Sequence, residues 1–215
     1  MTASAPGFVP LAEQQHLVLD HVSWDFYERV LDEVGNRPIR VTFDNGSMEI
    51  MPPLAEHEQP SRAIGALLRM MAVERDIPMS SFGSTTFRRE DRQKGLEPDD
   101  CFYIANEARA RGMKDFDPAV HPPPDLAIEI DITSRSVPRE PVYAALGVPE
   151  LWRYDRRSLQ VLRLGAGGKY EHTDTSATFP FLPMREFAQF VRRMEFEEQT
   201  SVLRSFREWV RTLPT

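Results

Sequence analysis

The chain has 215 residues, and its 41% hydrophobic and 27% charged side chains give the balance of an ordinary globular protein with a substantial core. A single cysteine excludes an internal disulfide framework and a cysteine-rich zinc site. The net charge of -7 argues against a protein that coats nucleic acid by bulk electrostatics, although it is compatible with a local basic cleft. No stretch approaches the roughly 20 apolar residues of a membrane helix, and the N-terminus lacks the pattern of a signal peptide. We therefore expect a cytoplasmic protein with no membrane partner.

The first part of the chain predicts an arm, a helix, a hairpin and a long helix. Residues 1–20 have no hydrophobic period and are expected to form a flexible arm. Ser23 is a suitable N-cap for an amphipathic helix that runs to about residue 34. The pair Asn45-Gly46 between two apolar runs is a strong hairpin signal. Residues 57–75 carry a helical apolar stripe, in which Pro60 fits only the first turn.

The rest of the chain alternates short strands with helices. This order predicts a mixed sheet in an α/β (α+β) domain spanning residues 21–175, followed by a C-terminal helical extension over 176–215 that packs on the core. The predicted elements are strands near 80–82 and 85–88, a polar loop over 88–94, strands over 101–104 and 125–132, a helix over 139–146, three strands between 151 and 172, and helices near 184–194 and 201–212.

The strand predicted at residues 125–132 is the most informative stretch. Side chains alternate between the faces of a strand, so Asp125, Glu129 and Asp131 fall on one face and isoleucines on the other. Like charges at this spacing repel each other unless a cation or water offsets them. Mg²⁺ takes oxygen ligands and usually only one or two protein carboxylates. The alternative is a half-exposed strand with a solvated acidic face.

Two other residues extend this acidic strand into a candidate catalytic group. Asp99 follows Pro98 directly before an apolar strand, and Arg139 opens the helix after the acidic strand. Neighbouring strands would let Asp99 and Glu129 converge on one cation. An aspartate, a glutamate and a cationic side chain beside a divalent metal form an arrangement suited to phosphodiester cleavage. The alternative for Asp99 is a turn-forming residue after Pro98.

Five segments of the chain occur in the order typical of a nuclease family. They are Met51-Pro-Pro with Glu56-His57-Glu58, Gly83-Ser-Thr-Thr-Phe87, Glu97-Pro-Asp-Asp-Cys-Phe-Tyr103, Pro124-Asp-Leu-Ala-Ile-Glu129 and Tyr143-Ala-Ala-Leu-Gly-Val-Pro-Glu-Leu-Trp152. Over roughly residues 20–165 the chain thereby resembles the Uma-two family of restriction endonucleases, within the PD-(D/E)XK nuclease superfamily.

The resemblance implies a restriction-endonuclease-like fold, with a mixed sheet flanked by helices, that cleaves DNA. It implies Mg²⁺ or Mn²⁺ bound at Asp99 and Glu129, and we count Asp125 and Asp131 as further candidate ligands. The family has a lysine four residues before the tyrosine that corresponds to Tyr143, and here that position is Arg139. Most of the superfamily has lysine two residues after the glutamate, where this chain has Asp131.

The replacement of lysine by Arg139 leaves two functions open. Arginine stays protonated and cannot act as a general base, but it can neutralise charge in a transition state. The chain is therefore expected to be a metal-dependent endonuclease weakened by this replacement. The alternative is a catalytically inactive nuclease fold that binds DNA or a protein partner.

Accessory roles follow for other charged residues and for the tail. Glu56 and Glu58 either hold a metal-bound water or interact favourably with the N-terminus of the long helix. Arg88, Arg89 and Lys94 contact phosphate or belong to a solvated loop. The C-terminal helices offer a surface for a homodimer.

Overall fold

The computed structural model describes residues 16–52, 55–83, 85–132 and 136–214, and leaves the side chains of residues 55–57 undescribed. Helices and strands alternate along this part of the chain. The helices are α1 (Trp24–Val34), α2 (Ala55–Glu74), α3 (Glu107–Ala110), α4 (Glu140–Leu146), α5 (Met184–Phe196) and α6 (Gln199–Thr212). The strands are β1 (Leu17–Leu19), β2 (Arg40–Asp44), β3 (Ser47–Met51), β4 (Ser80–Ser81), β5 (Phe87–Arg89), β6 (Lys94–Leu96), β7 (Asp100–Tyr103), β8 (Leu126–Ile130), β9 (Glu150–Tyr154), β10 (Leu159–Leu164) and β11 (Tyr170–Thr173). Within the described ranges, no helix has both the length and the apolar character needed to cross a membrane.

The strands form two sheets. The first has the order β1-β3-β2-β6-β5 and is antiparallel throughout. The second has the order β11-β10-β9-β8-β7-β4 and is mixed, because β8 and β9 run parallel with α4 as the connection between them. Together with the six helices, these sheets confirm the predicted mixed α+β class.

The first sheet confirms the hairpin and corrects two predictions. Asn45 and Gly46 both have positive φ, of 48° and 92°, and join β2 to β3. The flexible arm was wrong for Leu17–Leu19, because this segment pairs with β3 as β1, and residues 1–15 lie outside the described residues. The polar loop over 88–94 was also wrong. It contains the end of β5, a 3-10 turn and the start of β6, held by the cross-strand pair of buried Phe87 and Leu96.

The two long helices of the first half differ in how well their boundaries were predicted. Helix α1 begins after Ser23, whose side chain accepts a hydrogen bond from Phe26 N, and ends at Gly35 with φ of 54°. Helix α2 begins at Ala55, so Pro60 is its sixth residue, and the expectation that this proline fits only a first turn was wrong. Its missing N–H would face the carbonyl of residue 56, so the lost hydrogen bond is confined to the start of the helix.

Strand β8 lies between two apolar clusters, and all five of its residues are buried. One face contributes Leu126, Ile128 and Ile130 to a cluster with α2, α5 and α6. The other face packs on α4 and on residues of the first sheet. The alternative of a half-exposed strand was therefore wrong, since a central strand with a parallel neighbour is covered on both sides. Glu129, the carboxylate of this strand, is consequently held in the interior.

Candidate active site

The register of β7 and β8 brings Asp99 and Glu129 together. Asp100 is paired with Ile128 in this antiparallel ladder, and Asp99 N donates to Ile128 O at 3.1 Å. Asp99 Oδ2 also accepts a 2.7 Å hydrogen bond from Ile130 N, so Asp99 contacts the backbone on both sides of Glu129. Both residues are buried, with 6% and 4% of their surface exposed. We call Asp99 and Glu129 the carboxylate pair.

Helix α4 covers the face of the sheet that carries the carboxylate pair. Tyr143 Oη donates a hydrogen bond of 2.6 Å to Glu129 Oε2, and Arg139 Nε lies 3.2 Å from the same oxygen. Both residues are buried, and the guanidinium of Arg139 also contacts the carbonyl oxygen of Glu97. The short helix and its first flanking residue thus position one hydroxyl donor and one cation on Glu129.

Asp99 is held by three different elements. Its Oδ2 accepts a 2.7 Å hydrogen bond from Ile130 N, and its carbonyl oxygen accepts one of 3.0 Å from Ser61 Oγ in α2. Its Oδ1 forms an ion pair with Arg40 Nη1, and Arg40 Nη2 lies 3.3 Å from Glu58 Oε1. Asp99 is therefore bound to its neighbour strand, to α2 and to β2, which a turn-forming aspartate would not require.

Arg40 was missed at the level of sequence. It is the first residue of β2, and its side chain is 12% exposed. A lone arginine at the start of a strand gives no local signal, because the carboxylate that it contacts lies 59 positions later in the chain.

Glu49 was also missed at the level of sequence. It lies in β3 with 1% of its surface exposed, and its Oε1 accepts a 2.9 Å hydrogen bond from Ser136 N. Its Oε2 has no hydrogen-bond partner among the described residues. A charged residue inside the otherwise apolar run Met48-Glu49-Ile50-Met51 was the available signal.

Buried charges shift the protonation equilibria of the site. Burial alone would lower the pKa of Arg139, but the negative charges of Glu129 and Glu49, with a contribution from Tyr143, outweigh it and raise that pKa. Arg139 is therefore a permanent cation. Burial raises the pKa of Glu97, although a hydrogen bond from Thr86 and the charges of Arg40 and Arg139 act in the opposite direction.

The carboxylate pair has the donor set of a magnesium site with few protein ligands. Among the described residues, no group of three or more His, Cys, Asp or Glu side chains could hold a metal ion. Two facing carboxylates nevertheless fit Mg²⁺ or Mn²⁺, because Mg²⁺ is usually bound by one or two carboxylates and completes its shell with water and phosphate oxygens.

Asp125 and Asp131 are placed differently from the carboxylate pair. The Asp125 carboxylate accepts hydrogen bonds from Ile104 N, Asn106 N and Asn106 Nδ2 at 2.7–2.9 Å. It lies four residues before Glu129, which is about 13 Å along a strand, so the structure does not bring it to the pair. Asp131 follows the end of β8, and its Oδ2 lies 3.8 Å from Arg153 Nε.

The accessory acidic and basic residues differ in whether they contact the residues around the carboxylate pair. Glu58 reaches the carboxylate pair through Arg40, whereas the Glu56 side chain lies outside the described residues. The three basic candidates all have acidic partners: Arg88 lies 3.4 Å from Glu28, Arg89 lies 2.7 Å from Asp91, and Lys94 pairs with Asp44. Lys94 is also buried, and its charge is paired with Asp44 within the first sheet.

Two clefts flank the carboxylate pair. One, of about 490 Å³, is lined by Glu129, Asp131, Arg139 and Arg153, among other residues. The other, of about 420 Å³, is lined by Arg40, Glu58, Thr86 and Glu97 together with residues 35–39. Glu129 and Arg139 thus both line the first cleft, and Arg40, the partner of Asp99, lines the second.

Comparison with known proteins gives a family match and a similar solved structure. Residues 24–195 match the Uma2 family, described as "Putative restriction endonuclease". A crystal structure described as that of a "putative nuclease belonging to DUF820" from Anabaena variabilis ATCC 29413 is similar, with a TM-score of 0.46, 16% sequence identity, and coverage of 78% of this chain and 90% of that chain. No curated protein matches the sequence. Because the match spans most of its length, the chain belongs to the Uma2 family, described as "Putative restriction endonuclease".

Proposed function

We propose that this chain is an endonuclease that hydrolyses DNA phosphodiester bonds at the carboxylate pair, with Mg²⁺ or Mn²⁺ as its cofactor. The observation that supports this most directly is the pairing of Asp99 with Glu129 across β7 and β8, with Arg139 Nε 3.2 Å from Glu129. When bound, the metal ion supplies an activated water and neutralises charge on the reacting phosphate.

The chain's own residues have separate roles in this proposal. Asp99 and Glu129 hold the cofactor, and the hydroxyl of Tyr143 fixes the orientation of Glu129 through its 2.6 Å hydrogen bond. Arg139 stabilises the negative charge that develops on the phosphate. Because its pKa is raised, Arg139 does not accept the proton of the attacking water. Asp131 lines the same cleft as Glu129 and Arg139 and would contact water there.

A plasmid-nicking assay in Mg²⁺ and in Mn²⁺ tests this function. We expect the wild type to nick supercoiled DNA only with metal, Glu129→Gln to lose this activity, and Arg139→Gln to reduce it by roughly 100–1,000-fold, the usual effect of removing one electrostatic stabiliser. Glu171→Gln on the exposed face of β11 is the control for the change of charge and should nick like the wild type. Wild-type protein that does not nick DNA with either metal would contradict the proposal.

The runner-up is a nuclease fold that binds DNA or a protein partner without cleaving. It is favoured by the absence of lysine at both expected positions, where Arg139 and Asp131 stand instead. Arg139→Lys separates the two functions. If this substitution creates nicking that the wild type lacks, the wild type is the inactive form.

A homodimer would let two such sites reach both strands of a duplex. The C-terminal helices remain the proposed surface for it, although Phe187 and Phe206 of these helices are buried within the protomer. Size-exclusion chromatography tests this arrangement, and a monomer mass at every concentration would rule it out.

A further inference from the structure

We propose that Arg40 is a second phosphate-binding residue, and that nucleic acid and a divalent metal ion bind this site cooperatively by exchanging the partners of two arginine–carboxylate pairs. This inference rests on the proposed function and adds to it the way in which the site is loaded. Its starting point is that the same four side chains that would bind metal and phosphate are bound to one another in the free protein.

Both pairs carry opposite charges in direct contact, and three of the four side chains are buried while Arg40 is partly buried. Asp99 pairs with Arg40, with side-chain exposures of 0% and 12%, and Glu129 pairs with Arg139, with exposures of 5% each. At this depth the charges are screened only weakly by salt. In the absence of ligands, the two arginines therefore neutralise the two carboxylates.

The chemistry of the four groups makes metal and phosphate dependent on each other. Carboxylates are the ligands that Mg²⁺ prefers, and arginine binds phosphate oxygens in a bidentate manner. A metal ion that takes Asp99 and Glu129 removes one ion-pair partner from each arginine, so that Arg40 keeps only Glu58 as an acidic contact among those described here. A phosphate that takes the arginines removes the ion-pair partners of two buried carboxylates. Each exchange alone is costly because it leaves buried charge without its ion-pair partner. When both ligands arrive, every charge has a partner again.

The two clefts give ligands access to both arginines. Arg40 lines the cleft of about 420 Å³, where Glu58 Oε1 lies 3.3 Å from its Nη2. Arg139 and Glu129 line the second cleft of about 490 Å³. A phosphate that enters either cleft meets one of the two arginines directly.

Calorimetric titration of the wild type with Ca²⁺, with and without a short DNA duplex, tests the coupling. We expect the duplex to tighten Ca²⁺ binding at least fivefold, since coupling between sites is typically about 5–150-fold. Ca²⁺ should tighten duplex binding, measured by fluorescence anisotropy, by the same factor because the coupling is reciprocal. Equal Ca²⁺ affinities with and without the duplex would overturn the inference.

A pair of arginine variants assigns the coupling to Arg40. Arg40→Gln should bind Ca²⁺ more tightly than the wild type without DNA and should lose most of the enhancement by the duplex. Arg62→Gln is the matched control, because Arg62 also contacts Glu58, at 3.1 Å, but its side chain is 80% exposed and it is not the partner of Asp99. It should keep the wild-type enhancement. Full enhancement in Arg40→Gln would overturn the assignment.

Two further controls keep the outcome clear. The wild-type titrations require no variant, and Arg40→Lys, which keeps the charge but loses the bidentate fork, replaces Arg40→Gln if that variant does not fold. Cleavage is measured separately in Mg²⁺ and Mn²⁺. Coupled binding without nicking would support this inference and remove the nuclease activity, whereas nicking with uncoupled binding would remove this inference and keep the nuclease.

Discussion

The hydroxyl of Tyr143 is the neutral donor that α4 provides to the carboxylate pair. It is buried and donates to a carboxylate oxygen at 2.6 Å, and hydrogen bonds to charged acceptors are among the stronger ones in proteins. We expect Tyr143→Phe to lower the free energy of unfolding by about 1.5–3 kcal/mol. Urea denaturation of the metal-free protein measures this change.

Tyr170→Phe is the matched control for this substitution. Its hydroxyl also donates at 2.6 Å, but to the neutral carbonyl oxygen of Val148. The expected loss is about 0.5–1.5 kcal/mol, the usual range for a neutral pair. Equal losses in the two variants would mean that Glu129 is not a charged acceptor for Tyr143.

Glu97 gives the site a pH dependence whose sign can be predicted. Burial raises the pKa of Glu97 from 4.5, so the folded protein binds its proton more tightly than the unfolded chain does. Stability from this group is therefore present below about pH 4.5 and is lost as the pH rises through the folded pKa. We expect Glu97→Gln, which stays neutral, to gain stability over the wild type as the pH rises through this window.

Urea denaturation at a series of pH values follows the difference between Glu97→Gln and the wild type. Glu90→Gln, at an exposed position, makes the same chemical change outside the site. A difference between Glu97→Gln and the wild type that stays constant from pH 4 to pH 8 would contradict the pKa assignment.

At the scale of elements, long amphipathic segments were predictable and short strands were not. Helix α1 and the β2–β3 hairpin carry their own caps and turn residues, so local sequence specifies them. Strands β1, β5 and β6 have three residues each, and their stability comes from partners on other strands.

The residues of the candidate site show the same contrast between what local sequence specifies and what distant contacts specify. The spacing of β7 and β8 brought Asp99 and Glu129 together, whereas Arg40 and Glu49 depend on contacts 59 and 87 positions away.

Helix α6 belongs to the same core as the central sheet. Phe206 is fully buried, with its ring 5.1–5.9 Å from the rings of Phe187, Phe190 and Trp209, and Arg207 and Arg211 of α6 both contact Glu74 of α2. We expect Phe206→Ala to lower the free energy of unfolding by about 3–5 kcal/mol. Because α2 and β8 share this cluster, unfolding should remain a single transition in urea.

Phe196→Ala is the control, since Phe196 ends α5 with 79% of its surface exposed, and little change is expected. A separate early transition in Phe206→Ala would show that the C-terminal helices unfold independently. That result would favour the predicted boundary at residue 176 as a real unit of folding.

At the scale of the whole molecule, the charge of -7 limits how this protein can bind DNA. Its 33 acidic residues outnumber 26 lysines and arginines, and Arg88, Arg89 and Lys94 already contact acidic side chains. Phosphate contacts are therefore expected mainly from Arg40 and Arg139. With about two phosphates neutralised, the logarithm of the association constant should fall with the logarithm of salt concentration with a slope of about -2.

Fluorescence anisotropy of a labelled duplex at several salt concentrations, with Ca²⁺ held constant, measures this slope. Arg40→Gln should make it shallower by about 1, since one phosphate contact is lost. The double variant Arg88→Gln, Arg89→Gln should leave it unchanged, because those charges already have partners in Glu28 and Asp91. A wild-type slope steeper than about -4, or one that the double variant reduces, would show that the β5–β6 hairpin contacts DNA. The protein would then bind DNA through a basic surface rather than through its buried arginines.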